Sequence, residues 1–263
     1  MLRSMYSGIS GMKNFQTKLD VIGNNISNVN TYGFKKGRTT FKDMVSQSIS
    51  GASAPAGAMG GTNPKQVGLG SQLAAIDTIH TQGSLQTTGR SLDISISGDG
   101  FFQLNDNGNT LYSRAGNFYL DSTGTLVNSD GLKVIVNGGT AGVIPTSAKS
   151  ISIGADGNIS FVDAAGALQS GGVIQIAKFP NPDGTEKVGE NLFEQTTNSG
   201  VPLSGAPGTN GSGAIVAGTL EMSNVDLSEE FTEMIVAQRG FQANTRIITT
   251  SDEILQELMS LKR

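Results

Sequence analysis

The 263-residue chain has no cysteine, no tryptophan and a single histidine, His80. Without cysteine there are no disulfides, no thiolate metal sites and no cysteine nucleophile. One histidine cannot assemble a His-based metal centre. A Ser-His-Asp triad would have to use His80, which reads instead as a surface or rim residue. Charged residues are scarce at 15%, and apolar ones make up 37%. No run approaches the ~18 consecutive apolar residues of a membrane-spanning helix. The start lacks the succession of basic flank, apolar stretch and small-residue cleavage site, so no ordinary signal peptide is expected. The net charge of −4 argues against nonspecific nucleic-acid binding, which needs a basic face.

Other chemical motifs fail on spacing. Gly98-Asp99-Gly100 runs into Phe101-Phe102-Gln103, so the third glycine of a dinucleotide fingerprint is missing. The turns at 105–108 and 121–124 lack the ligand spacing and terminal Glu of a calcium loop and read as hairpin turns. Nothing singles out a carboxylate pair for glycoside hydrolysis. The cluster Lys35-Lys36-Gly37-Arg38, with Lys42, reads as a solvated or intersubunit patch rather than a phosphate or lipid-headgroup contact. The expectation is a non-enzyme with no catalytic, cofactor-binding or metal-binding residues and no cofactor.

What is present is unevenly spread. All seven prolines lie between Pro55 and Pro207, and 30 of the 36 glycines fall in residues 43–220. Residues 1–42 carry seven Lys/Arg against Asp20, whereas residues 221–263 carry eight Asp/Glu against four Lys/Arg. Ends of opposite sign attract, though exposed pairs contribute little.

Each end has an apolar seam. Leu2, Met5, Ile9, Met12, Phe15, Leu19, Ile22, Ile26 and Val29 are spaced three and four apart, a coiled-coil repeat with one stammer. The spacing predicts a helix ending near Asn30-Thr31-Tyr32, with Gly33 left-handed. Gly8, Gly11 and Gly23 each cost up to ~1 kcal/mol there relative to Ala, so the helix alone should fray. Leu227, Met234, Phe241, Ile248 and Leu255 recur every seven residues, flanked by Phe231, Ala237, Leu258 and Leu261. Asp226 with Glu229 resembles a capping box, Lys262-Arg263 suit the far end of the dipole, and a helix over about 227–261 is predicted. The seams fit either a hairpin packed on the chain's own body or contacts with each other and with neighbouring chains.

The middle reads as β. Leu92, Ile94 and Ile96 alternate with polar residues. Residues 134–136, 151–153, 159–161 and 173–179 are further strand candidates, punctuated by Asn107-Gly108, Asp130-Gly131, Asp156-Gly157 and Asp183-Gly184. Residues 48–64 are small and turn-rich and read as an extended or mobile connector, and 199–213 are similar. The fold class expected is α+β, with terminal helices pairing in a coiled-coil-like domain and a central, mainly antiparallel β domain. The expected divisions are 1–34 (first helix), 35–70 (connector), 71–218 (β domain) and 219–263 (second helix).

Residues 19–35, Leu-Asp-Val-Ile-Gly-Asn-Asn-Ile-Ser-Asn-Val-Asn-Thr-Tyr-Gly-Phe-Lys, resemble the N-terminal signature of bacterial flagellar hook and basal-body rod proteins. Residues 223–228 through 234–239 resemble their C-terminal signature, and Gly89–Ile96, Gly100-Phe101-Phe102 and Tyr112-Ser113-Arg114 match within the body. The signature residues so marked are Asn24, Asn25, Asn28, Gly33, Phe34, Asn224, Asp226, Gln238 and Arg239. Within the family, residues 31–35, Thr88-Gly89-Arg90, 225–228 and Leu261-Lys262-Arg263 look most like a short hook protein, while the chain length is rod-like.

The resemblance implies a structural subunit of the hook, a self-assembled helical tube acting as a flexible joint on the cell exterior. The alternative is the distal rod of the basal body. It implies subunit interfaces along the two seams, from Leu2 to Val29 and at Leu227, Phe231, Met234, Phe241, Ile248, Leu255 and Leu258. The partners implied are further copies of itself, the distal rod, hook-capping and hook–filament junction proteins, and the flagellar export apparatus, with no nucleic acid. Small contacts between Gly51 and Gly61 would ease sliding in a flexing hook.

Overall fold

The apolar repeat near the start folds as α1, Leu2–Ser27, and the heptad near the end as α2, Leu227–Ser260. At ~1.5 Å per residue the helices are roughly 39 and 51 Å long. The computed structural model describes residues 2–55, 60–136, 140–141 and 143–261; the side chain of Leu2 and the terminal Lys262-Arg263 lie outside the described residues. The chain divides into two compact units: Met1–Ile26 with Gly37–Asp77 and Asp226–Arg263, and Ser27–Lys36 with Thr78–Val225. It is an α+β protein, with its terminal helices packed together and a mainly antiparallel β centre.

In the first unit the helices run antiparallel, and glycine sets their approach. A methyl group at Gly240 would lie 2.5 Å from Phe15 Cζ, and one at Gly11 would lie 2.9 Å from Asn244 Nδ2. The Phe15 ring thus fills a notch that only Gly240 leaves open. Gly8 is buried against Ile248 and Asn244. Further along, Lys18 pairs with Glu233, and the Asn25 amide donates to Glu230 Oε2 at 3.1 Å. The pairs 11/244 and 15/240 fix a register that leaves the last two turns of α2, beyond about Ile254, with no α1 opposite. Asp226 caps α2, accepting from the Ser228 and Glu229 amides at 2.8 and 3.4 Å.

A β-ribbon completes this unit. Strand Gly37–Asp43 pairs with Ser71–Thr78, and Ser46–Ser50 pairs with Lys65–Gly68. A bridge between Ser53 and Thr62 extends the pairing toward the tip. Of residues 48–64, read as an extended or mobile connector, Ser48–Ser50 are paired strand and Ser53 and Thr62 form the bridge, while residues 56–59 lie outside the described residues. Phe41 on the ribbon meets Phe15 at 6.5 Å, and Asn14 donates to Ser71 Oγ at 2.8 Å.

In the second unit, strands Phe101–Asp106, Asn109–Ser113, Ile176–Lys178 and Leu192–Glu194 each carry apolar residues on both faces. Phe102, Leu111, Ile176 and Leu192 join one buried cluster, and their immediate neighbours Phe101, Tyr112, Ala177 and Phe193 join another. Period two makes this possible, because adjacent side chains point to opposite faces. The larger cluster also takes Ile153, Ile159 and Phe161 from the three-stranded sheet Ser150–Ile153, Asn158–Val162 and Leu168–Val173. Each fully buried side chain of this size is worth ~1.5–3 kcal/mol. The Asn107-Gly108 turn has positive φ at both residues (48° and 104°), the geometry that two-residue hairpins favour.

The alternation at 92–96 needs one correction. Asp93 and Ser95 are buried as well, held by Arg90 at 3.1 Å and Thr219 Oγ1 at 2.6 Å. Residues 199–213 likewise include a strand, Leu203–Gly205, paired with Ile176–Lys178.

Two helical glycines should respond oppositely to alanine. A methyl at Gly23 meets nothing within 4 Å, so Gly23→Ala should raise monomer stability by ~0.5–1 kcal/mol. Gly240→Ala gains the same propensity but forces the Phe15 ring aside, and overpacking of this kind costs ~1–3 kcal/mol. Net destabilisation in thermal unfolding followed by circular dichroism is expected, with recovery in Gly240→Ala/Phe15→Leu.

Candidate functional site

The helix pair leaves many of its apolar side chains exposed. Of the seam residues, Ile22 is buried, while Met5, Met12, Phe15, Leu19 and Ile26 are half-buried on α1. Ile9 is exposed, and Val29 lies in the turn after α1 rather than on the helix. On α2, Met234, Phe241, Ile248 and Leu255 are half-buried, whereas Leu227, Phe231 and Leu258 are exposed. The positions of α2 buried at seven-residue intervals are Glu230, Ala237 and Ser251, with Asn244 half-buried between them. The helix contact is therefore built on small and polar residues, beside the apolar heptad rather than on it.

The sequence reading missed a second stripe. Ile235, Val236, Ile247, Ile254 and Met259 are all at least 42% exposed. They were visible as apolar residues off the heptad. They leave α2 apolar on faces that α1 does not cover. The ribbon adds Val45, Ile49 and Ile76, all exposed.

In the second unit, three distant segments meet in a clasp. The Gly33 amide donates to the Glu221 carbonyl at 2.8 Å and the Ile79 amide to the Lys36 carbonyl at 2.9 Å. Asn224 works in both directions, accepting from the Lys36 amide at 2.8 Å and donating to the Ile79 carbonyl at 2.8 Å. Gly33 has φ 68°, and a methyl there would lie 2.6 Å from the Ala115 nitrogen. No other residue fits that approach.

At the centre of the clasp, Lys35 and Glu221 are both fully buried and paired. Lys35 Nζ also donates to the Thr81 carbonyl at 2.8 Å. Glu221 accepts from the Gly83 amide at 3.0 Å and from Arg114 at 3.3 Å. Burial pushes the Lys35 and Arg114 pKa values down, and the Glu221 charge opposes this in both. The reading of residues 35–38 as a solvated or intersubunit patch is thus corrected at Lys35, whose long stem and ammonium close the clasp. His80 is no rim residue either, since both its ring nitrogens are buried.

The marked signature residues sort by role. Gly33, Phe34 and Asn224 belong to the clasp, and Asp226 is the cap of α2. Asn25 exchanges bonds with Gly37 at 2.9 Å in each direction. Asn28 accepts from Thr31 at 3.1 Å and shapes the turn after α1. Asn24, Gln238 and Arg239 are exposed. Among the described residues no group of His, Asp and Glu is disposed to hold a metal ion, and no helix is long and apolar enough to cross a membrane.

Three family models match in chain order. Residues 5–35 match the flagella basal body rod protein model, 95–161 the flagellar hook protein FlgE/F/G D1 domain, and 216–261 the flagellar basal body rod FlgEFG protein C-terminal model. The flagellar basal-body rod protein FlgG of Bacillus subtilis is 63% identical, with all of both chains covered. The chain belongs to the flagellar hook and basal-body rod protein family. The rod protein FlgG of Borreliella burgdorferi is 40% identical over 269 positions, again with both chains fully covered. The hook protein FlgE of the same organism is 34% identical, but its alignment runs to 443 positions. This family is one of structural flagellar components, and its rod branch matches this chain better than its hook branch.

Glu221→Ala removes the carboxylate that Lys35 and Arg114 share. Stranding buried charges costs ~3–5 kcal/mol, against at most ~1 kcal/mol for breaking the exposed Lys178–Asp99 pair. Denaturant unfolding of Glu221→Ala beside Asp99→Ala should show that contrast.

Proposed function

We propose that the chain is a distal-rod subunit of the flagellar basal body, a helical homopolymer that transmits torque as a stiff shaft. The observation that carries this reading is the 63% identity to a rod protein along the whole of both chains. Length supports it too, because the alignment with a hook protein needs 443 positions for a chain of 263. The short motifs that favour a hook protein weigh less than this end-to-end match.

The helix faces supply the means of assembly. Ile9, Leu227, Phe231 and Leu258 from the seams, with Ile235, Ile247, Ile254 and Met259, form the contacts between copies. Phe15 against Gly240 and Ile248 against Gly8 hold the two helices of one subunit together. Apolar surface left on both sides of a helix drives association with a further copy. Neighbouring rod and hook proteins meet the two ends of the polymer, and the export apparatus delivers the subunit. The basal body is the proposed location.

Electron microscopy of the full-length chain after salting out should show straight, rigid tubes. Curved tubes would return the assignment to the hook. Phe231→Asp and Leu258→Asp should each abolish tubes while leaving the β unit folded by circular dichroism. Tubes of normal stability from both variants would remove these faces from the interface.

A further inference from the structure

His80 occupies a slot that suits only its neutral form. Its ring lies 5.6 Å from the ring of Phe101 and 5.4 Å from that of Phe193. Both ring nitrogens are buried without a hydrogen-bond partner. The same aromatic rings carry cations. Arg114 sits 5.5 Å from the Phe101 centroid, and Lys187 sits 6.0 Å from Phe193 and 5.1 Å from Phe34. Lys187 also donates to the Lys35 carbonyl at 3.3 Å, so the slot opens onto the clasp.

The nearby anions are committed. Glu221 is shared by Lys35 and Arg114, and Asp99 faces Arg114 and pairs with Lys178 at 3.5 Å. Tyr112, in the same aromatic cluster, stays neutral until alkaline pH because burial raises its pKa. Nothing in this set is free to accept a proton from an imidazolium.

We propose that the slot is an acid-sensitive latch, in which protonation of His80 adds a buried cation beside Lys35, Arg114 and Lys187 and opens the clasp joining residues 33–36, 79–83 and 221–224. An imidazolium has two N–H donors and no acceptor, so both would be stranded against aromatic rings. Burial, then the charges of Lys35, Arg114 and Lys187, lower the His80 pKa to about 4 from 6.5. The folded value lies below the unfolded one. The contribution is therefore complete above about pH 6.5, is lost as pH falls toward 4, and changes no further below that. A shift of this size corresponds to a loss of roughly 100-fold or more in the folding equilibrium. The clasp segments 33–36 and 221–224 lie along the chain next to α1 and α2. The argument is independent of whether the polymer is rod or hook.

A single histidine makes the test direct. In the full-length monomer, selectively labelled imidazole gives one NMR resonance, expected to titrate near pH 4. Hydrogen exchange of peptides covering 27–36, 78–84 and 219–225 should rise between pH 6.5 and 4 after correction for intrinsic rates. His80→Phe keeps an aromatic ring in the slot and every carboxylate in place, and should suppress that rise by roughly 100-fold. A resonance titrating near 6.5, or the same pH dependence in His80→Phe, would overturn the latch. If His80→Phe does not fold, the resonance of the unsubstituted chain decides.

Discussion

The buried pairing of Lys35 with Glu221 is the constraint on which the second unit depends. Two charges removed from water are tolerable only when they are paired and held by further hydrogen bonds. That requirement draws in Thr81, Gly83 and Arg114, and with them the chain before and after each. The backbone bonds of Gly33, Ile79 and Asn224 then follow from the same crossing of segments. The arrangement costs more stability than an apolar plug would. In return it accepts only one alignment of three segments that are far apart in sequence, which is how a lone Asn fixes register in a coiled coil.

The first unit obeys a different rule. Its helices meet through Gly8, Gly11, Ala237 and Gly240, with one aromatic ring, Phe15, in the largest notch. Close approach at small residues leaves the larger apolar side chains turned outward. That outward apolar surface supports the proposed reading as a polymer component.

Much of this was legible in the sequence. The two terminal helices, the helix cap at Asp226 and the hairpin turns at 107–108 and 156–157 follow from local patterns, with short spacing and a direct geometric meaning. The clasp was not legible. Lys35-Lys36-Gly37-Arg38 looks like surface because its partner Glu221 lies 186 residues away, and no periodicity links them. The helical glycines read as defects, since their use is apparent only when the facing side chain is known. The motif at 31–35 resembled a hook protein, yet Gly33 and Lys35 serve the clasp that the fold requires. Length spoke more clearly, because a longer relative must carry something this chain does not.

The last two turns of α2 run on past the start of α1. That leaves one end of the helical hairpin as a protruding prong, bearing Leu258, Met259 and Leu261 in the open. A two-fold dimer would bury both prongs at once and stop growing, whereas a prong received by a different surface on the next copy always leaves another prong free. In the proposed polymer, a head-to-tail contact of that kind repeated along the axis gives a filament with a direction, its two tips chemically distinct.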